Sequence, residues 1–413
     1  MTIRRFPDDF VVRERLDDAM LKGLTPSRTD QSPFAVFQMV KMSVTTPNAC
    51  AALARELGIR AADIQFAGMK DKHACTSQIV TAKVATQARA TMIPAQVSLQ
   101  NVTADLVGWS AQHVKAEDIA FNAFEIVVRD LTTQHCDVMN RNASRACLKS
   151  ESQPTLLMPN YFGDQRFGYQ RADTLAARLV VHGDYLAALK LIIATPHRKD
   201  SGIARETNRL CAMHWGKWPE LLQALPRSPA RKVIEVLANR SDTNAARDAF
   251  AALPYIEQQM CIESFQSHLW NATVAAIVSG ASTSTWKAPG ATGELLFVES
   301  VSTSQHLASA QLPMPSPELA LPATDNSNAW FRPALAAAME REQLALSQLQ
   351  VPGLRRPSFD NFSRPLFVQA HDFSMTPPER DEASTNKSKY KRTLRFSLPR
   401  GAYATVLLRM LGQ

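Results

Sequence analysis

Residues 34 to 44, from Phe34 to Val44, mix β-branched, aromatic and polar side chains in the way of a β-strand. Thr46-Pro47 then looks like a helix N-cap followed by proline at the first helical position. Ala51, Leu53, Ala54 and Leu57 recur on one helical face, and Gly58 supplies the stop. Ile64 to Ala67 is a short apolar strand candidate, and strand character resumes from Ile79 to Val84. The eleven residues between them follow neither period. Ala123 to Val128 predicts another strand, with Phe124, Ile126 and Val128 on one face.

The texture changes after about residue 157, where helical patterns dominate: Asp184 to Ala194, Pro254 to Ser279, and Phe331 to Leu349. Residues 302–328, rich in Ser, Pro and Ala, read as a long loop. Near the end, Thr393 to Leu398 predicts a strand, and Tyr403 to Leu408 a strand or a helix. Sheet-forming segments at both ends, enclosing a helix-rich middle, suggest an inserted domain. A chain of 413 residues is long enough for two or three domains, and no internal repeat is visible.

Composition adds little to this picture. Hydrophobic residues make up 45% and charged residues 20%, an ordinary globular mix that excludes collagen, coiled coil and global disorder. No apolar run approaches the roughly 18–20 residues needed to cross a bilayer. The start, Met1 to Phe10, lacks the apolar core of a signal peptide, so the chain reads as cytoplasmic. Cys50, Cys75, Cys136, Cys147, Cys211 and Cys261 show no CxxC or other metal-ligand spacing, and reduced thiols are expected. The net charge of +8 and pI near 9.2 suit a polyanionic partner, because Lys and Arg displace counterions from phosphates. Lys387, Lys389, Lys391, Arg392 and Arg395 surround Tyr390 in a cluster that fits either RNA-backbone contact or a solvated loop leading into a strand.

Three stretches carry candidate chemistry. In Gly68-Met69-Lys70-Asp71-Lys72-His73-Ala74-Cys75-Thr76-Ser77-Gln78 a carboxylate stands between two lysines. Flanking cations favour the ionised form that a nucleophile or base needs, and they could also hold a phosphodiester. Residue types alone leave open a surface turn with a solvated ion pair. In Asn160-Tyr161-Phe162-Gly163-Asp164-Gln165-Arg166-Phe167-Gly168, two glycines frame aromatics and an arginine, which fits a packed junction with unusual dihedrals or close backbone approach. Leu398-Pro399-Arg400-Gly401-Ala402-Tyr403-Ala404-Thr405 is a turn followed by a tyrosine, which could stack on a base or simply pack at a rim.

Together and in this order, these segments resemble the TruD family of pseudouridine synthases. The stretch Phe66 to Gln78 fits the family's Phe-Ala-Gly-x-Lys-Asp-Lys-x-Ala-x-Thr-x-Gln at every fixed position. Asn160 to Gly168 matches Asn-Tyr-Phe-Gly-x-Gln-Arg-Phe-Gly, and Leu398 to Thr405 matches Leu-Pro-x-Gly-x-(Tyr/Phe)-Ala-Thr. Asp9-Phe10-Val11-Val12 with Glu14 resembles Asp-Phe-x-Val-x-Glu, and Phe265-Gln266-Ser267-His268-Leu269-Trp270-Asn271 is similar to a segment of the family's inserted domain. The resemblance runs from about residue 6 to 410. Three positions depart from the pattern: Phe121 and Leu157 stand where the family favours Gly, and Met410 where it has Glu.

The resemblance implies an α+β fold: a pseudouridine-synthase catalytic domain with a mixed, largely antiparallel sheet and flanking helices, and an inserted helix-rich α/β TRUD domain. On this chain the catalytic domain would take residues 1–157 and 361–413, and the insertion 158–360. By carry-over, Asp71 is the catalytic aspartate; Phe10, Asn122, Phe124 and Tyr403 contact or stack on the target nucleotide; and Lys70 and Lys72 are electrostatic supports. Asn160 and Arg166 look like architecture. The implied activity is isomerisation of uridine to pseudouridine in tRNA, at position thirteen as in bacterial members. It implies no cofactor, no metal and no protein partner, and a monomer that stays off membranes. The alternatives are a synthase acting on other RNAs and an inactive RNA-binding or RNA-folding protein of the same fold.

Overall fold

Strand β1 (Phe10–Leu16) buries alternate residues, Phe10, Val12, Glu14 and Leu16, because successive side chains of a strand point to opposite faces. It lies in the middle of an eleven-stranded mixed sheet. The computed structural model describes residues 1–72, 74–148, 153–171, 173–196, 200–281, 284–300, 305–319 and 330–412, and over these the chain is α+β.

The other strands of this sheet are β2 (Phe34–Met42), β3 (Ile64–Phe66), β4 (Cys75–Lys83), β5 (Gln96–Leu99), β6 (Val102–Ser110), β7 (Ile119–Leu131), β8 (Leu156–Pro159), β9 (Phe367–Met375), β10 (Glu379–Arg380) and β11 (Tyr390–Pro399). Their order is β5-β6-β2-β4-β1-β7-β11-β9-β8, with β3 added to β4 and β10 to β11. Only β1 and β4 are shown to pair in parallel; every other described pairing is antiparallel.

The helix Thr46–Glu56 covers one face, packing Ala49, Cys50, Leu53 and Ala54 on Phe37 and Met39 of β2 and on Val80 and Ala82 of β4. Burying each such leucine or phenylalanine stabilises the fold by about 1.5–3 kcal/mol. The N-cap of this helix is Thr45, whose hydroxyl accepts from Asn48 N, so the cap sits one residue before the expected Thr46. Thr45 has extended dihedrals and Thr46 is already helical, which frees the Thr46 hydroxyl for another task. Gly58 follows with φ of 61°, the left-handed conformation in which glycine avoids a Cβ clash.

Contacts divide the chain into two compact units, residues 1–158 with 368–413, and residues 159–367. The first holds the large sheet. The second is built on the 27-residue helix Tyr255–Ala281, buried along most of its length. Its buried glutamines are satisfied: Gln258 donates to the Ala251 and Leu253 carbonyls, and Gln266 to those of Pro315 and Asp360. Helix Phe331–Arg341 and the hairpin Thr285–Gly290/Gly293–Val298 pack on it.

Two segments differ from expectation. The segment 302–328 is not one loop. Residues 302–304 and 320–328 lie outside the described residues, but between them are a helix, Gln305–Ala308, and a strand, Gln311–Pro313, paired with Ser363–Pro365. A three-residue strand has no period of its own; its distant partner makes it. The helix expected to reach Leu349 ends at Arg341. Gln343 adopts φ of 57°, Gln343 N bonds the Glu340 carbonyl and Leu344 N the Met339 carbonyl, a Schellman closure without the usual glycine. The ambiguous segment after Tyr403 is a helix, Ala404–Leu411. No helix among the described residues is long and apolar enough to cross a membrane.

Candidate active site

Asp71 lies on the loop that joins β3 to β4, four residues before β4 begins. Two side chains hold that loop by its backbone. Lys41, fully buried at the end of β2, donates to the Asp71 carbonyl at 2.8 Å and to the Val44 carbonyl at 3.0 Å. Thr46 accepts from Lys70 N at 3.1 Å while donating to Gln78 Oε1 at 2.9 Å. Burial pushes the Lys41 ammonium below its usual pKa and the nearby Lys70 charge acts the same way, while the Asp71 carboxylate opposes both.

The Asp71 carboxylate itself meets Arg4, whose Nη1 lies 2.8 Å from Oδ2. The same guanidinium sits 4.2 Å from the centre of the Phe10 ring. Arg4 reaches this position from a backbone with φ of 62°. The segment carrying it is gripped by Arg129 of β7. Thr2 exchanges both backbone hydrogen bonds with Arg129, at 2.9 and 3.0 Å. Phe6 stacks at 5.2 Å from the Arg129 guanidinium. Asp9 takes Arg129 Nη2 at 2.9 Å, and its other oxygen accepts from Phe6 N at 3.0 Å. Arg129 also binds Asp381 at 2.8 Å and Glu382 at 3.2 Å, so its charge is fully matched although the side chain is buried.

Strand registers put Lys41, Thr76, Val12, Phe124 and Phe396 in one row across five strands, all on one face. Val12 is small, and beside it an aromatic wall forms. Phe124 stacks on Phe396 with ring centres 5.3 Å apart, and Phe10 meets Phe124 edge-on at 6.3 Å. The next row pairs Glu14 with Asn122 and Asn122 with Leu398. Here Lys70 Nζ lies 2.5 Å from Glu14 Oε1 and donates to Asn122 Oδ1 at 3.1 Å, and Glu14 Oε2 accepts from Ile79 N at 3.0 Å.

The structure thus brings Asp71, Phe10, Phe124, Lys70 and Asn122 into one constellation with Arg4. Lys72 is exposed on the same loop, and His73 lies outside the described residues. Tyr403 is half-buried at the turn after β11, where its carbonyl accepts from Val406 N. Of the departures from the family pattern, Phe121 is 37% exposed at the start of β7, while Leu157 and Met410 are buried. The basic cluster near Tyr390 does not form one face. Arg392 is buried, donating to the Thr376 carbonyl and to Asn140; Arg395 pairs with Glu125 across β7 and β11; and Lys391 pairs with Glu382.

Reading the sequence missed Arg4, Lys41, Thr46 and Arg129 as site residues. None has a local signal: Arg4 is one of two adjacent arginines, and Lys41 is one polar residue in a strand. All are recruited by distant partners.

In the second unit the two sequence-marked stretches interlock. Asn271 brackets Phe162, accepting from its N at 2.8 Å and donating to its O at 3.0 Å. Trp270 Nε1 donates to the Asn160 carbonyl, and Arg364 donates to Asn160 Oδ1 at 2.6 Å while lying over the Phe162 ring at 4.1 Å. Arg166 pairs with Glu263 at 2.7 Å. Among the described residues, no group of three or more His, Cys, Asp or Glu side chains could hold a metal ion.

Comparison with known proteins supplies the lineage. The family model for tRNA pseudouridine synthase D (TruD) matches residues 1–411. The tRNA pseudouridine synthase D of Aquifex aeolicus is 26% identical over 412 residues, covering 99% of this chain and 97% of that protein. The protein of the same name from Leptospira interrogans is 24% identical over 413 residues, with 99% and 95% covered. A crystal structure from Methanosarcina mazei, named for the same family, superposes with a TM-score of 0.67 at 19% identity, covering 99% of this chain and 92% of that one. At that identity the superposition shows the fold alone.

Proposed function

This chain belongs to the TruD family, and from that premise we propose that it isomerises uridine to pseudouridine in tRNA, at position thirteen, with Asp71 as the essential carboxylate. One observation supports the role of Asp71 above others. Its carboxylate is clamped by Arg4 beside Phe124, the partly exposed ring of a wall whose Phe10 and Phe396 are buried, so a charged group and a ring open to a base share one place.

The chemistry follows from that arrangement. The target base must leave the stack before its glycosidic bond can be reached, and aromatic faces compensate the lost stacking. Asp71 then acts on the ribose, either by attack at C1′ or by taking the C2′ proton. The C1′–N1 bond breaks, uracil turns over, and C1′–C5 forms; C5 loses a proton and N1 gains one. Composition and oxidation state are unchanged, so the reaction calls for no imported group. The reading takes residues 1–157 and 361–413 as the catalytic domain and 158–360 as the family's inserted domain. It also takes the protein to be a cytoplasmic monomer.

The test is pseudouridine mapping of total tRNA by carbodiimide-primed reverse-transcription stops, in cells with and without the gene. Loss of one stop in the D-stem region, restored by wild type but not by Asp71→Asn, is the expected result. An unchanged tRNA profile with a lost stop in another RNA would redirect the substrate, and no change in any RNA would favour a binding protein.

A further inference from the structure

We propose that Lys70 is a positioning residue that locks the Asn122 side-chain amide in one orientation, and that this orientation makes the site accept uridine and reject cytidine. The proposal rests on the reading above, in which Asn122 faces the target base.

The orientation follows from donor counting. An ammonium has three donors and no acceptor, so the Asn122 atom 3.1 Å from Lys70 Nζ must be the amide oxygen. Flipping the amide would put NH2 against NH3⁺ with nothing to accept between them. Lys70 cannot move aside, because Glu14 holds it at 2.5 Å. Glu14 is itself pinned: its side chain is 2% exposed and its second oxygen accepts from Ile79 N in β4. The sheet therefore sets the amide through a fixed chain, from Ile79 to Glu14 to Lys70 to Asn122. What remains for a ligand is the NH2 of Asn122 and the second lone pair of its oxygen.

That pair, a donor beside an acceptor, matches one pyrimidine edge. Uracil presents O4 as acceptor and N3–H as donor. Cytosine presents the reverse, an N4 amino donor and an N3 acceptor, and could be read only by the flipped amide. Asparagine is normally ambivalent between the two; the ammonium removes the ambivalence. Uracil offers a further advantage during turnover. Rotated about its N3–C6 axis it shows the same acceptor–donor–acceptor edge, so the contact to Asn122 survives the turn.

The experiment compares two transcripts of the tRNA, with uridine or cytidine at the mapped position. The first is followed by pseudouridine formation and the second by its inhibition constant as a competitor. A base read by two hydrogen bonds is discriminated by about fivefold to 150-fold, which corresponds to about 1–3 kcal/mol. The wild type is expected to prefer the uridine transcript by about that factor. Lys70→Met should bring the ratio close to one, chiefly by improving the cytidine competitor relative to the substrate. Asn122→Asp keeps an oxygen for Lys70 but replaces the donor by an acceptor, so each base then makes one matched and one opposed contact, and the ratio should fall close to one. A general loss of structure would weaken both transcripts alike and leave their ratio unchanged. A ratio that survives both variants would overturn the proposal. If Lys70→Met does not fold, because Glu14 is left buried and unpaired, Asn122→Asp decides alone. A wild type that forms no pseudouridine in any RNA overturns instead the reading on which the proposal rests.

Discussion

Arg4 and Asp71 form an ion pair at 2.8 Å in which each side chain is about four-fifths covered, 23% and 20% exposed. Partial burial makes the pair stronger than a surface salt bridge, because solvent screens it less. On the proposed reading it fixes the carboxylate where charge must act on the ribose. Arg4→Gln should lower kcat by about 10²-fold, the usual loss for one electrostatic contact at a reacting centre. KM for tRNA should change by much less, since most affinity comes from phosphate contacts elsewhere. Single-turnover kinetics on one tRNA transcript separates the two effects. Equal losses in kcat and in binding would refute a role at the chemistry.

The Thr46 hydroxyl joins the Asp71 loop to β4 by accepting from Lys70 N and donating to Gln78. Thr46→Val preserves shape but leaves both partners without a match. Each buried polar group so orphaned costs about 1–3 kcal/mol. The expected outcome is a loss of stability of that size in urea unfolding, together with a fall in kcat as the loop drifts. Retained kcat in a destabilised variant would show that the tether serves stability only.

Arg129 touches neither Asp71 nor the aromatic wall, yet it grips residues 2, 6 and 9 around Arg4. Arg129→Gln should destabilise the protein by about 3–5 kcal/mol, since Asp9 and Asp381 are left as buried charges. It should also lower kcat through Arg4. The double variant Arg4→Gln/Arg129→Gln should then lose no more kcat than Arg4→Gln alone. Additive losses in the cycle would disprove the coupling.

Glu342 supplies a prediction in pH. Burial raises its pKa, but hydrogen bonds from His268 at 2.9 Å and from Arg178 at 2.5 and 2.8 Å outweigh this and bring it from 4.5 to about 2. A carboxylate whose folded pKa is depressed contributes stability above its unfolded pKa and loses it as pH falls through the folded one. The contribution is about 3 kcal/mol at neutral pH. It should fade between about pH 5 and pH 2. Glu342→Gln should therefore be less stable than wild type at pH 7, with the gap closing toward pH 2. A gap independent of pH in denaturant unfolding would contradict the assignment.

Local sequence was enough for elements whose physics is local. The period of Phe34 to Val44, the Pro47 start and the Gly58 stop predict a strand and a helix that the fold contains, to within a residue or two. The same holds for the long buried helix around Phe265. The residues alone marked the stretches that hold Asp71, Lys70, Asn160 and Arg166, and the family resemblance implied what each would do. Tertiary structure decided what those residues meet. Lys41 reaches the Asp71 carbonyl from 30 positions away, Lys70 meets Asn122 across 52, and Arg129 meets Asp381 across 252. These partners converge because strand pairing, parallel between β1 and β4 and antiparallel for β2 with β4, β1 with β7 and β7 with β11, sets side chains from five strands in a single row. A charged residue in a strand carries no mark of the neighbour it will face. The sequence determines the period and the stop of each element, which depend on contacts within a few residues. Register, burial and the choice of ion-pair partner depend on the whole sheet, and only the folded chain decides them.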